Sequence, residues 1–150
     1  MTETKYPIRI YANAEELKAN LPDLENADPR TLAVSITQIL ALHRAEQIMI
    51  LDVRGKSDIT DYYVVATGRS GTQVQAMAGD VEALVAEKGL NPFHQEDLSS
   101  RTWAALDYGP VFVHIMNRES RQFYNIEKLY ADADRLIPEE TVPEETASGN

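Results

Sequence analysis

Two runs of branched and aromatic residues most constrain the fold of this chain. Residues 47–53 (QIMILDV) and 61–67 (DYYVVAT) both have strand length and strand composition. The polar segment between them, Arg54-Gly55-Lys56-Ser57-Asp58, is too short for the crossover that a parallel return requires. The two runs therefore predict an antiparallel pair, and the pair needs an apolar cover on at least one face.

Helices to supply that cover are legible on both sides. Upstream, Asn13 with Glu16 forms a capping box for a short helix that Pro22 ends. Asp28-Pro29 opens a second helix, in which Leu32, Ile36, Ile39, Leu40 and His43 recur on one face. Downstream, Ser70 caps a helix with Gln73 as partner. Val74, Met77, Val81, Leu84 and Val85 form its apolar stripe, and Gly89 is its stop. Residues 91–94 read as a short strand or a loop. The runs 101–107 and 111–117 flank Tyr108-Gly109-Pro110 as a hairpin. A last helix is expected over 119–136, ended by Pro138, with an acidic disordered tail over 138–150.

Composition narrows the function. There is no cysteine, so disulfides, thiolate metal sites and thiol nucleophiles are excluded. Fourteen Lys and Arg against 24 Asp and Glu give a net charge of −10, which opposes nucleic-acid phosphate and suits a basic protein partner. No apolar stretch has signal-peptide or membrane-span length, so a cytoplasmic protein with no membrane partner is expected.

Catalytic patterns are weak. Asp80-Val81-Glu82 has the spacing of a metal-binding acid pair, but on a helix residues two apart diverge by about 200°. Such a pair reads as a solvated face. His43, His94 and His114 have no i, i+4 pairing. The rival to a binding protein is a Mg-dependent nucleotide-binding transferase that uses Asp58, Asp61 and the helix start at Ser70. Aromatic residues and Met, by contrast, concentrate in the last third: Trp103, Tyr108, Phe112, Met116, Phe123, Tyr124 and Tyr130. These types anchor protein interfaces. Phe112 and Phe123 are expected in the core. Along 101–107, Arg101, Trp103, Ala105 and Asp107 share one strand side, which places Trp103 on the outer, polar face.

Several of these segments resemble one family. Leu51-Asp52-Val53-Arg54-Gly55-Lys56-Ser57, Thr60-Asp61-Tyr62 and Thr67-Gly68-Arg69-Ser70 are similar to the ribosomal silencing factor family, also called Iojap. So are Asp107-Tyr108-Gly109, Val113-His114-Ile115-Met116 and the run from Arg121 to Tyr130. The resemblance covers 31–137, leaving 1–30 as an N-terminal extension with a short helix. It implies an α/β domain whose mixed sheet is flanked by helices, nucleotidyltransferase-like but without the catalytic residues. It implies a non-enzyme without cofactor or metal that binds the large ribosomal subunit through ribosomal protein fourteen. Such a factor blocks subunit joining, represses translation under nutrient limitation and forms a homodimer when free. The expected partner-binding residues are Trp103, Asp107, Tyr108, His114, Met116, Glu127 and Tyr130. Two positions depart from the family pattern, Asp97 after Glu96 and Tyr130 after Leu129.

Overall fold

In the computed structural model, residues 2–96 and 98–141 are described. The expected antiparallel pair is at its centre. Strand β2 (Glu46–Asp52) lies antiparallel to β3 (Tyr62–Gly68), with Leu51 opposite Tyr63. Every residue of β3 is buried, as befits a strand covered on both faces. The hairpin also forms: β5 (Trp103–Asp107) runs antiparallel to β6 (Val111–Asn117), and β6 returns parallel to β3. Strand β4 (His94–Glu96) adds to β5.

The cover on one face is α1 (Ala14–Asn20), α2 (Pro29–Leu42) and α3 (Gly71–Glu87). Their caps follow the sequence reading. Asn13, Asp28 and Ser70 each accept a backbone N–H three residues on. The return halves of two boxes differ: Glu16 pairs with Arg9 at 3.7 Å, and Gln73 Oε1 accepts the N–H of Arg69 rather than that of Ser70. The apolar stripes of α2 and α3 meet Ile50, Val64, Val113 and Ile115 in one continuous core. Gly89 stops the chain after α3 at φ +102°.

Two segments differ from expectation. The single helix over 119–136 is instead α4 (Arg118–Tyr124), α5 (Ile126–Leu129) and a strand, β7 (Asp134–Glu140). The helix breaks at Asn125, which adopts left-handed φ 44° and ψ 61°, a conformation Asn tolerates better than most residues. Pro138 to Glu140, expected in the acidic tail, instead complete β7. From Ile137 onward β7 has only β1 beside it, the kind of edge position where Pro costs least. Residues 142–150 of that expected tail lie outside the described residues.

The other unexpected element is β1 (Glu3–Ile8), which runs parallel to β7. The sheet order is thus β1-β7-β2-β3-β6-β5-β4, a mixed α/β arrangement. Leu17, Leu21 and Leu24 of the early chain are buried in the same core as α2 and α3. Among the described residues no helix is long and apolar enough to cross a membrane.

Candidate functional site

Side chains alternate along a strand, so the face away from α1–α3 is fixed once the core face is known. On β6, Val111, Val113 and Ile115 enter the helix-covered core, which turns Phe112, His114 and Met116 outward. On β5, Ala104 and Leu106 enter the core and Trp103 turns outward, as the polarity of 101–107 predicts. On β3, Tyr63 and Val65 share that outer side. The short helices α4 and α5 lie here, and Ile126 and Ala133 help bury Leu51, Val53 and Met116.

What results is an array of rings on one sheet face. His114 stacks on Phe112 with centroids 4.8 Å apart and lies 5.6 Å from Trp103. Tyr63 sits 5.3 Å from His114 and 5.4 Å from Tyr130. Tyr124 of α4 packs on Trp103 at 4.5 Å and extends the array to exposed Phe123. Offset and tilted ring pairs of this kind are favourable beyond their area.

One hydrogen bond locks the centre. The Trp103 indole Nε1–H donates to His114 Nδ1 at 2.9 Å, so the neutral imidazole carries its proton on Nε2. Burial among the rings pushes the His114 pKa down to about 4. Burial also pushes the Tyr63 hydroxyl up to about 12, with its hydrogen bond to Tyr130 adding to the shift. The imidazole and phenol are thus neutral at pH 7. The face is amphipathic and uncharged at its middle, a surface that can bind but offers no activated base.

The expected partner-binding residues divide. Trp103, His114 and Tyr130 come together in the array. Glu127 lies at its margin, bonded to Arg121 Nε at 3.2 Å. Asp107 is at the far end of β5, where its Oδ1 accepts the Gly109 N–H at 2.8 Å and shapes the turn. Tyr108 and Met116 are set back from the surface. Tyr108 is 1% exposed in the core on the helix side, and Met116 lies beneath the rings with no exposed surface. Phe112 packs, partly buried, against the apolar cluster under α5 on the outer face, whereas Phe123, expected in the core, is 80% exposed. Tyr63 of the array is not singled out in the sequence, and Tyr124 stands there only among the aromatic residues of the last third. Alternation along 61–67 could have found Tyr63, whereas Tyr124 is brought to Trp103 only by the fold of α4.

The transferase constellation does not assemble. Asp61 precedes β3 and Ser70 follows it, so a strand of roughly 20 Å separates them. Asp80 holds His43 Nε2 at 2.7 Å rather than pairing with Glu82. Among the described residues no group of three or more His, Asp or Glu could hold a metal ion.

Comparison with known proteins decides the family. The model of the family described as "Ribosomal silencing factor during starvation" matches residues 26–150. The chain belongs to this family. Among its relatives, the ribosomal silencing factor of Haemophilus influenzae is 40% identical over 88 residues, covering 59% of this chain and 86% of that one. The ribosomal silencing factor of Bacillus subtilis is 38% identical over 90 residues, covering 60% and 76%. A crystal structure of a Chromobacterium violaceum protein superimposes with a TM-score of 0.67 at 28% identity, covering 70% of this chain and 88% of that one. The whole ring array lies inside the silencing-factor match, whereas β1 and α1 precede it.

Proposed function

We propose that this chain is an anti-association factor that docks on the large ribosomal subunit through its ring face. The contact is ribosomal protein fourteen, and a domain seated there fills space the small subunit needs. Translation is thereby repressed when nutrients are scarce. The observation that carries this reading is the half-buried cluster of Trp103, His114 and Tyr130 on the sheet face that α1–α3 leave uncovered. Family membership supports it, and so does the charge of −10, which favours encounter with a basic protein.

In this reading the protein works in the cytoplasm by steric exclusion, without catalysis or cofactor, on a nucleotidyltransferase-like sheet that serves only as a scaffold. It makes no direct contact with nucleic acid and is a homodimer when free. Cosedimentation tests it. Purified protein pellets with large subunits and reduces their joining to small subunits. Failure on both counts removes the proposal.

A further inference from the structure

Helix α4 has seven residues, and its buried side chain is not apolar. It is Arg121, 4% exposed, while the neighbouring Phe123 and Tyr124 are exposed. The guanidinium reaches in two directions. Nη1 donates to Thr67 Oγ1 of β3 at 2.9 Å, and Nε donates to both carboxylate oxygens of Glu127 in α5 at 3.2 Å. Thr67 is 1% exposed and alternates into register with Tyr63 and Val65, on the ring side of the sheet. From β7, Arg135 Nη2 donates to the Glu127 carbonyl at 3.5 Å and ties α5 down a second time. Between the two helices the chain turns at left-handed Asn125, whose N–H returns to the Arg121 carbonyl at 3.1 Å.

Each end of this brace leads to a ring. Three residues beyond Arg121, Tyr124 packs on Trp103 at 4.5 Å; three beyond Glu127, Tyr130 packs on Tyr63 at 5.4 Å. Removing one partner of a buried ion pair strands the other charge, so such a pair defines one arrangement more than it adds net stability. We propose that Arg121 is a positioning residue for the ring face. With Thr67 and Glu127 it holds α4 and α5 where Tyr124 meets Trp103 and Tyr130 meets Tyr63. Glu127 then acts through Arg121, and its carboxylate is occupied rather than offered to a partner. A lysine at position 121 has one ammonium and no planar fork, so it cannot serve Thr67 and Glu127 in the same geometry. The role rests on the ring-face reading of function.

Trp103 is the single tryptophan of the chain, so its fluorescence reports on the array directly. Tyr124→Ala gives the emission of an indole that has lost its ring neighbour. Arg121→Lys and Thr67→Val are expected to melt cooperatively and to move Trp103 emission toward that of Tyr124→Ala. Both should weaken large-subunit pelleting about tenfold, the scale of a lost anchor. Thr67 is too enclosed to touch a partner, so a loss of binding there comes through the brace. Wild-type emission in both variants, or shifted emission with wild-type pelleting, overturns the role. Weakened pelleting by Glu127→Gln with wild-type emission also overturns it, because Glu127 would then be a contact. Should Arg121→Lys not fold, Thr67→Val decides alone. Trp103→Ala separates this role from the reading beneath it. Wild-type pelleting by that variant removes the ring-face reading and the role with it. Lost pelleting there, beside wild-type pelleting by Arg121→Lys and Thr67→Val, removes only the brace.

Discussion

Trp103 serves two partners with one ring, stacking on Tyr124 and donating to His114. It is half-buried rather than enclosed, so truncation removes contact area without opening a core cavity. Trp103→Ala is expected to stay folded while losing at least ~2 kcal/mol of large-subunit binding, the scale of an interface hot spot. Melts and pelleting on the same variant check this. Unfolding, or wild-type binding, would remove Trp103 from the contact. His114 supplies a pH dependence whose sign follows from its depressed pKa. Unfolded, the imidazole titrates near 6.5, and folded at about 4. Between these values the unfolded chain binds more protons. Stability from His114 is therefore complete above pH 6.5, falls as pH drops toward 4, and is gone below, a loss of up to about 3 kcal/mol. Denaturant melts between pH 7 and 4 should show this slope and show it reduced in His114→Phe. The outward facing of Trp103 and His114 was legible, since alternation against apolar neighbours determines it. The burial of Tyr108 was not, because the aromatic residue of a Tyr-Gly-Pro turn can fall on either side of the hairpin.

At the scale of elements, the legible parts are those whose signals are local. Asn13, Asp28 and Ser70 cap their helices because the bond spans three residues and needs nothing else. Ser70→Ala is accordingly expected to cost about 1 kcal/mol, read by denaturant unfolding. Elements that rest on distant partners escaped. Strand β7 reads as helix and tail because its neighbours, β2 and β1, lie far back in the chain. Strand β1 escaped because Glu3, Lys5 and Pro7 hide a strand whose buried positions are only Tyr6 and Ile8. Tyr6 nevertheless anchors it, its hydroxyl bonded to Thr37 of α2 at 2.8 Å. Removing residues 2–9 should leave β7 as an edge. Hydrogen exchange should then quicken at the amides of Asp134 to Glu140 while those of β5 and β6 stay protected. Uniform loss of protection would mean that β1 is integral to the whole sheet.

For the whole molecule, the division of the sheet is what matters: one face takes the helices, and the other keeps a ring cluster with α4 and α5 at its margin. Light scattering of the free protein is expected to give twice the 16.8 kDa chain mass, and a mass of one chain would sink the dimer. The join between β1 and β7 bears on how the molecule is made. Thr2 N–H donates to Asp134 Oδ1 across 132 positions, and Glu3 pairs with Arg135. During synthesis β1 emerges long before β7 exists and must wait for more than a hundred residues to follow before the two can pair. Contacts of such separation are slow to close. This member of the silencing-factor family therefore completes its own sheet only after the 132 positions that separate Thr2 from Asp134 have left the ribosome that builds them.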